Sequence, residues 1–547
     1  MRLSFLLLFP GLLCAQTQPA AQDKCRLEGK VLNSANGQPV RKARVTARGM
    51  VRAVPPRIPG QPFTPPPQPQ FTAVTDSEGR FTFAVDAGQY YLEVQRDGFQ
   101  RENTPAVGAM ERRPETVTLA PGADKRDVVL RLVPLGVVSG RIRDEDGDPV
   151  RNAQMALMIY QYTQRGREMV QRSGSMTNDL GEYRMFDIAP GKYYVKATPR
   201  GAMNFGPGNG GESDVLGAAF FPGAPEAAGA AAIEVRPGEE AGHIDIMLRR
   251  ARTVAVRGRV VRPAAVANYY SSIMVTQFSG NSSGPSGGGS VDSQGDFQLR
   301  LAPGSYEFSW QAMQDNKRWV ARRPVQVGAT DMEGIELRAE PPMDVKGALR
   351  VEGSSRYPIT VIRATLQGDN RGYGGAAATK EDGAFTINNV EPGVYTVNVN
   401  TPPDLFVKSV RCGNADVGAS GVDLSGGAPC DLSITLSSNG GEIDGKVDLG
   451  DQTAPDLMMI TLVPAGSRKD DSLFKTAITK PDGAFDIRTI APGSYKVYAW
   501  AIPVDQNELR YNPDFFKPYE SLGQSVQISE GGKETVTLKP IVKPAEK

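Results

Sequence analysis

One short pattern, a turn glycine followed by a strand and a second turn, occurs five times in this chain of 547 residues. In the last copy, Asp-Gly-Ala-Phe at 482–485 precedes Ala-Pro-Gly-Ser-Tyr at 491–495. Gly483 can take the positive φ that a tight turn requires, and Pro492 favours a second turn. Between the turns, apolar residues alternate with polar ones as in a half-buried strand. The pattern therefore predicts turn, strand, turn and strand in succession.

The spacing inside this pattern is nearly constant. The turn glycine and the strand tyrosine are 11 or 12 residues apart in every copy, and successive turn glycines are 88 to 114 residues apart. A signature that recurs with fixed internal spacing indicates a tandem array of one domain type. The five pairs are Gly79 and Tyr90, Gly181 and Tyr193, Gly295 and Tyr306, Gly383 and Tyr395, and Gly483 and Tyr495.

Each copy lies inside a longer frame of strand patterns. An opening strand carries a glycine among apolar residues, and the frame closes with a strand of alternating apolar and polar residues. About seven strands per ~100 residues is the size of a small immunoglobulin-like β-sandwich. The glycines of the opening strands are Gly29, Gly140, Gly258, Gly347 and Gly445.

The frame predicts an all-β fold, a tandem array of five β-sandwich domains preceded by a signal peptide. Only a few residues separate one closing strand from the next opening strand, which predicts a string with limited bending. The predicted domains are residues 25–134, 135–250, 251–340, 341–438 and 439–540.

Three insertions interrupt the repeats. Residues 54–70 of the first domain are rich in proline and predict an extended polyproline II loop. Residues 201–232 are rich in glycine and alanine. Residues 279–290 consist largely of serine and glycine and predict a flexible loop.

The composition argues against two classes of protein. The 60 Gly and 42 Pro suit frequent turns, while 40% hydrophobic residues in strand-like runs argue against a disordered chain. Lys plus Arg number 62 against 61 Asp plus Glu, and no basic block is present. A nucleic-acid partner is therefore not expected.

The first fifteen residues predict an exported protein. Residues 1–15 contain one arginine, an apolar run and a terminal alanine, the pattern of a short secretory signal peptide. Cys14 raises lipidation as an alternative, which Leu13 disfavours because a lipidation site requires a small residue there. No later run reaches the ~18 apolar residues of a membrane span. The expected location is secreted, periplasmic or on the outer cell surface.

The cysteines fit an oxidising compartment. Cys412 and Cys430 lie 18 residues apart in a glycine-rich stretch, and we predict a disulfide between them. Closing a loop of that size stabilises by roughly 3 kcal/mol on the chain-entropy model. Cys25 remains, either as a buried thiol in the first strand, which we favour, or as an intermolecular link.

The order of these motifs resembles the carboxypeptidase regulatory-like domain. The likeness is carried by Gly-x-Val, Pro-Val-x-x-Ala-x-Val, Thr-Asp-x-x-Gly-x-Phe and Pro-Gly-x-Tyr. That family is related to transthyretin-like, Cna B-type and starch-binding-like sandwiches. The resemblance implies prealbumin-like sandwiches, of a fold called carbohydrate-binding-like, in a secreted bacterial multi-domain protein. Because the motifs are turn and core residues, they indicate the fold and say little about a ligand.

The sequence offers little for catalysis. His243 is the one histidine, so neither the ligands of a zinc peptidase nor a Ser-His-Asp triad is well supplied. No phosphate-binding loop, Cys-x-x-Cys or dinucleotide fingerprint occurs. We predict a non-enzymatic protein with no catalytic residues, metal or cofactor, and a surface position for His243.

Glycan binding requires exposed aromatic faces beside polar side chains. Burial is the competing interpretation, since large aromatic side chains are usually buried. Phe515 and Phe516 could instead cover the open edge of the last sandwich. The candidate ligand-binding residues are Trp319, Tyr269, Tyr270, Tyr511, Phe515 and Tyr519.

Two hypotheses of function follow. The first is binding of extracellular or cell-wall polysaccharide, which rests on the resemblance and the loop aromatics. The second is a structural or adhesion stalk that makes protein–protein contacts at the cell surface, which rests on the short linkers and the repeat number. A hydrolase is the weakest hypothesis, because no catalytic domain is left over.

Overall fold

The computed structural model describes residues 24–49, 68–102, 115–163, 166–199, 215–263, 272–279, 282–314, 317–368, 374–418, 421–450, 458–466, 470–480, 482–502 and 504–542. The predicted signal peptide at 1–15, with Cys14, and most of the proline-rich loop at 54–70 lie outside them. Contacts divide the chain into two units, Met1–Thr104 with Arg113–Leu135, and Pro105–Arg112 with Gly136–Lys547. The first unit contains sandwich 1 and the second contains sandwiches 2 to 5, numbered in chain order.

Sandwich 1 consists of two sheets. Its strands are β1 Cys25–Asn33, β2 Arg44–Gly49, β3 Gln70–Val74, β4 Arg80–Val85, β5 Gly88–Gln95, β6 Phe99–Arg101, β7 Glu115–Leu119 and β8 Asp124–Pro134. One sheet has the order β4-β1-β8-β6 and the other β3-β2-β5-β7.

Sandwich 2 has the same core sheets with additional short strands. Its strands are β9 Gly136–Asp144, β10 Gln154–Thr163, β11 Gly166–Met176, β12 Glu182–Ile188, β13 Gly191–Thr198, β14 Val215–Leu216, β15 Ala219–Phe220, β16 Ile233–Val235, β17 Glu240–Ala241, β18 Ile246–Leu248 and β19 Arg250–Ala251. The main sheets have the orders β12-β9-β17 and β11-β10-β13-β15, and a 3₁₀ helix spans Ala227–Gly229.

Sandwich 3 is the one with the longest hairpin. Its strands are β20 Val254–Val261, β21 Ser272–Ser279, β22 Ser282–Ser290, β23 Asp296–Leu301, β24 Gly304–Gln314, β25 Lys317–Val327 and β26 Met332–Arg338. The sheets have the orders β23-β20-β26 and β22-β21-β24-β25. The prediction of a flexible loop at 279–290 is wrong, because β22 pairs with β21 over this stretch. This pairing satisfies the hydrogen-bonding groups of its backbone.

Sandwich 4 contains the two nearby cysteines. Its strands are β27 Met343–Glu352, β28 Arg363–Gly368, β29 Gly375–Ala378, β30 Ala384–Val390, β31 Val394–Asn400, β32 Phe406–Cys412, β33 Ala415–Asp416, β34 Val422–Asp423 and β35 Leu432–Ser437. The sheets have the orders β30-β27-β35-β32-β33 and β29-β28-β31-β34, with a 3₁₀ helix at Ile359–Val361.

Sandwich 5 adds a short α-helix to the strands. Its elements are β36 Gly441–Val447, β37 Met459–Pro464, β38 Lys475–Ile478, β39 Ala484–Ile490, β40 Gly493–Trp500, α1 Gln506–Tyr511, β41 Gln524–Ile528, β42 Lys533–Leu538 and β43 Pro540–Ile541. The sheets have the orders β39-β36-β42 and β38-β37-β40-β41. Further 3₁₀ helices span Asp471–Leu473 and Lys517–Leu522.

Every sandwich pairs its opening strand with its closing strand in parallel, as in β1 with β8 and β36 with β42. The tandem array of five sandwiches predicted from the repeats is therefore confirmed. Each main core draws on one stretch of chain: residues 25–132, 138–248, 254–337, 343–436 and 443–538.

The glycine of each opening strand lies opposite the aromatic residue of the repeat. The register pairs Gly445 with Phe485, and an added Cβ on Gly445 would overlap the ring. In sandwich 2 the partner of Gly140 is Tyr183. The two motifs are thus one packing unit, in which an aromatic ring covers a glycine on the neighbouring strand. The other pairs are Gly29 with Phe81, Gly258 with Phe297, and Gly347 with Phe385.

The strand tyrosine anchors the second turn in all five copies, as the sequence predicted. Its hydroxyl donates a hydrogen bond to the carbonyl oxygen four residues earlier, at 2.6 to 2.9 Å. In sandwich 5 the pair is Tyr495 with Ala491 at 2.8 Å. The turn glycine has the positive φ expected of it, 79° at Gly483. These bonds explain why tyrosine recurs where phenylalanine would fill the same space.

A one-residue β-bulge explains why the repeat spacing is 12 in three copies and 11 in two. Sandwiches 2, 4 and 5 have a residue with positive φ near the end of the repeat strand: Asp187 at 57°, Asn389 at 57° and Thr489 at 58°. There the register against the opening strand shifts, whereas the pairing in sandwiches 1 and 3 is continuous. The additional residue is therefore a bulge and not a longer turn.

Candidate functional site: the joints between sandwiches

The predicted ligand-binding residues of sandwich 3 are only partly described. Tyr269 and Tyr270 lie outside the described residues. Trp319 is on β25, opposite Ala312 of β24, and its half-buried side chain packs against the core of sandwich 3. Trp310, expected in the core, is 2% exposed. Most of the Trp319 ring surface therefore serves packing.

The aromatic residues predicted in the last sandwich form a second core. Phe515 is half-buried and Tyr519 is 9% exposed, and both contact Trp500, with ring centroids 5.6 Å and 5.0 Å away. Phe516, 1% exposed, packs on Tyr498 at 4.7 Å between centroids. Tyr498 and Trp500 are on the outer face of β40, so this cluster covers a sheet face and not the sheet edge that the sequence suggested.

The segment that supplies this cover is built from α1 and the following 3₁₀ helix. Asp505 caps α1 by accepting hydrogen bonds from the amides of Asn507 and Glu508. Tyr511, the remaining predicted ligand-binding residue here, donates to Asp471 at 2.6 Å. We call residues 502–522 the flap.

The predicted disulfide between Cys412 and Cys430 is present and joins the end of β32 to the segment just before β35. Cys25 is a buried thiol, as favoured from the sequence, and its sulfur donates to the carbonyl oxygen of Ala120 at 3.0 Å. His243 is exposed at the surface with φ 60°.

Sandwiches 3 and 4 meet at a buried carboxylate. Glu391, whose carbonyl accepts the bond from Tyr395, has a side chain that is 0% exposed. Its carboxylate lies 2.6 Å from Arg322 Nη2 and 3.3 Å from Arg318 Nε. Both arginines are on one face of β25, on either side of Val320, which is 5% exposed. One carboxylate from sandwich 4 therefore holds two cations of sandwich 3.

Glu391 stands where most other copies have a small apolar residue. The residue four before the strand tyrosine is Ala189, Ala302 and Ala491 in sandwiches 2, 3 and 5. Features that all copies share do not identify Glu391. The signal that identifies it is a charged residue at a position that is alanine in three of the five copies. Only sandwich 1, with Asp86, also has an acid there.

Sandwiches 4 and 5 meet through two further contacts. The Thr489 hydroxyl donates to the Pro403 carbonyl at 2.8 Å. Lys408 of sandwich 4 lies 2.7 Å from Glu352 and 3.5 Å from Glu530 of sandwich 5. The hydrogen bond to Glu352 raises the pKa of Lys408. The bulge residue of sandwich 5 is thus itself part of the joint.

Sandwich 2 contacts sandwich 5, although the two are not neighbours in the chain. The helix α1 lies against β10. Asp505 at the start of α1 interacts electrostatically with Arg172 of β11, whose pKa is lowered by burial. Arg172 also donates to Gln161 of β10 at 2.7 Å. The short linkers predicted limited bending between neighbouring sandwiches, but they do not predict this contact between sandwiches 2 and 5.

Sandwich 3 has an open groove on the outer face of β20, β23 and β26. Arg257 pairs there with Glu333 at 2.6 Å, and Arg259 with Asp296 at 2.6 Å. The described residues contain no group of three or more His, Cys, Asp or Glu that could hold a metal ion. None of the helices among them is long and apolar enough to cross a membrane.

Comparison with known proteins supports the family resemblance. The model of the carboxypeptidase regulatory-like domain matches residues 26–126, which confirms the resemblance for sandwich 1. No curated protein matches the chain.

A search of solved structures also finds matches to this chain. The shaft pilin SpaA of Lactobacillus rhamnosus GG is 12% identical with a TM-score of 0.22, covering 42% of this chain and 98% of the pilin. The minor pilin of Streptococcus agalactiae is 14% identical with a TM-score of 0.22, covering 42% and 97%. The Bacillus anthracis TIE protein is 12% identical with a TM-score of 0.16, covering 96% and 76%. At this level of similarity, the function of this chain has to be inferred from its own residues.

Proposed function

We propose that this chain is an exported, non-enzymatic structural protein that holds its sandwiches 2 to 5 in a fixed arrangement and acts by contacting other proteins outside the cell. The observation that carries the proposal is the Glu391 carboxylate, buried between Arg318 and Arg322 at the joint of sandwiches 3 and 4. A flexible tether between independent domains has no need of such a contact.

The energetics of buried charge explain why this joint implies a fixed arrangement. Taking a carboxylate out of water is costly and is offset only if the cations hold good geometry, so the pair adds little net stability. Removing the arginines, however, costs about 3–5 kcal/mol because the Glu391 carboxylate stays buried, whereas Arg318 and Arg322 are themselves 40% and 27% exposed. As a hypothesis for this protein, Glu391 therefore selects one relative position of sandwiches 3 and 4 over others.

The contacts between the sandwiches favour binding of other proteins over binding of glycans. The sandwiches contact each other through ion pairs and hydrogen bonds to backbone carbonyls, as Lys408 and Thr489 show, and a foreign β-sandwich can be bound in the same way. Phe515 and Tyr519, in contrast, turn their rings towards Trp500. Polysaccharide binding through these residues stays a prediction that their burial disfavours.

A cross-linking experiment in the producing cell tests the proposal. A photoreactive amino acid placed at exposed strand positions such as Met274 and Ile478 should give cross-links to proteins, and the purified chain should not be retained on a glycan array or on insoluble polysaccharide. Glu391→Gln should weaken the protein cross-links, whereas the matched control Glu381→Gln, an exposed acid of the same sandwich, should not. Retention on polysaccharide without protein cross-links would overturn the proposal.

A further inference from the structure

The β-bulges of sandwiches 4 and 5 occupy the same place in each domain. The residue after the bulge pairs with the first residue of the opening strand, Val390 with Met343 and Ile490 with Gly441. That strand end is where the chain enters the domain from the preceding sandwich. The additional residue of the repeat is therefore placed at the joint and not at the far end of the sandwich.

At both places, residues at or next to the bulge contact the preceding sandwich. In sandwich 5 the bulge residue Thr489 donates directly to Pro403 of sandwich 4. In sandwich 4, Glu391 follows the bulge residue Asn389 by two positions and binds Arg322 of sandwich 3. The two joints thus share a backbone feature, the one-residue bulge, although one is a hydrogen bond to a carbonyl and the other an ion pair.

The receiving residue follows the tyrosine strand at both joints, on the strand β25 in sandwich 3 and in the loop between β31 and β32 in sandwich 4. These residues are Arg322 and Pro403, and the tyrosine strands that they follow are β24 and β31. In sandwich 3, which has no bulge, the end of the repeat strand β23 contacts its own sandwich instead. Its Arg300 donates to the side chain and carbonyl of Thr253, within its own entry segment, at 3.2 and 3.3 Å.

The bulge in sandwich 5 is held at an energetic cost. Thr489 has φ 58°, and a β-branched residue in the left-handed region is a genuine outlier because its Cβ crowds the backbone. Gly440 lies so close to the Thr489 backbone that an added Cβ would be 2.7 Å from its Cα. Strain that persists in a repeat strand points to a use for the strained residue.

We propose that the one-residue bulge of sandwiches 4 and 5 is the docking device by which each of these two sandwiches is held on the preceding one. This inference rests on the proposed function and assigns its fixed joints to a particular backbone feature. The docking partner is a β-sandwich of the same chain, bound through the segment that follows its tyrosine strand.

The deletion of Thr489 tests the inference with little risk to the fold. It converts Phe485-Asp-Ile-Arg-Thr-Ile into Phe-Asp-Ile-Arg-Ile, the same apolar spacing as Phe297-Gln-Leu-Arg-Leu in the unbulged sandwich 3. Spin labels on cysteines introduced at the exposed positions Ala378 and Ile478 report the distance between sandwiches 4 and 5. We expect a narrow distance distribution in the parent chain and one at least about twofold broader after the deletion.

Three outcomes are decisive. A folded deletion variant with an unchanged narrow distribution overturns the inference and leaves the proposed function standing. A broad distribution in the parent chain overturns the proposed function itself. If circular dichroism shows that the deletion unfolds sandwich 5, Thr489→Val decides, because the bulge docks by presenting the Thr489 hydroxyl to Pro403 and this variant removes only that donor. An unchanged distribution in that variant then overturns the inference.

Discussion

At the scale of single residues, the glycine of the opening strand makes the clearest prediction. Gly445→Ala forces a Cβ into the ring of Phe485, and overpacking of this kind typically costs about 1–3 kcal/mol. The free energy of unfolding, measured by urea titration, should fall by that amount. Gly466→Ala in the same sandwich is the matched control, since an added Cβ there meets nothing within 4 Å. Equal stability of the two variants would contradict the packing role of Gly445.

The tyrosines of the second turn predict how stability depends on alkaline pH. Burial raises the pKa of Tyr306 and of Tyr495 from 10.0 to about 12. Because the folded pKa is above the unfolded one, the neutral phenol stabilises the fold fully below pH 10, and this contribution is lost as the pH rises towards 12. Thermal unfolding measured across this window should show the loss.

The control for this pH dependence is the double variant Tyr306→Phe and Tyr495→Phe. Each substitution removes a hydrogen bond worth about 1 kcal/mol, so the variant should be less stable at neutral pH. Its additional loss between pH 10 and 12 should be smaller than that of the parent chain. An identical alkaline loss in both proteins would show that other groups are responsible.

At the scale of elements, the flap of residues 502–522 is the feature with the largest energetic consequence. Phe516 is 1% exposed on the outer face of β40, and replacing a buried Phe by Ala costs about 3–5 kcal/mol. Phe516→Ala should therefore lower the unfolding free energy of sandwich 5 by that amount in chemical denaturation. Leu522→Ala, in the same flap but 38% exposed, should stay within about 0.5 kcal/mol of the parent.

The strands and turns of this fold could be predicted from the sequence because they depend on local rules. Gly483 needs a positive φ, Tyr495 bonds a carbonyl four residues away, and Cys412 is 18 residues from Cys430. The flap could not be predicted in the same way. Its apolar residues show no sustained period, and only the outward-facing Tyr498 and Trp500 of β40 indicate that this sheet face needs a cover.

The one-residue difference in spacing can be read from the sequence, but its structural cause cannot. The two spacings, 11 residues in two copies and 12 in three, are visible in the sequence, but a longer turn and a bulge give the same count. The positive φ of Asp187, Asn389 and Thr489 distinguishes them. Asp and Asn tolerate that conformation, while Thr does not favour it, so composition alone could not identify the third bulge.

At the scale of the whole molecule, the joints are what the sequence reveals least. Glu391 meets Arg322 across 69 residues and Thr489 meets Pro403 across 86, and no periodic pattern reports such pairs. Short linkers limit how neighbours bend, yet they do not determine which faces meet. The contact of α1 with β10, between sandwiches 5 and 2, depends on the sum of all the joints between them.

The central claim, that sandwiches 3 and 4 are held in one relative position by Glu391, is tested most directly by a distance measurement. Spin labels on cysteines introduced at the exposed residues Met274 and Ala378 report the separation of the two sandwiches. The parent chain and the control Glu381→Gln should each give one narrow distance distribution. Glu391→Gln, which leaves Arg318 and Arg322 without their buried anion, should broaden or shift it. A Glu391→Gln distribution that superposes on that of the parent chain would contradict the account.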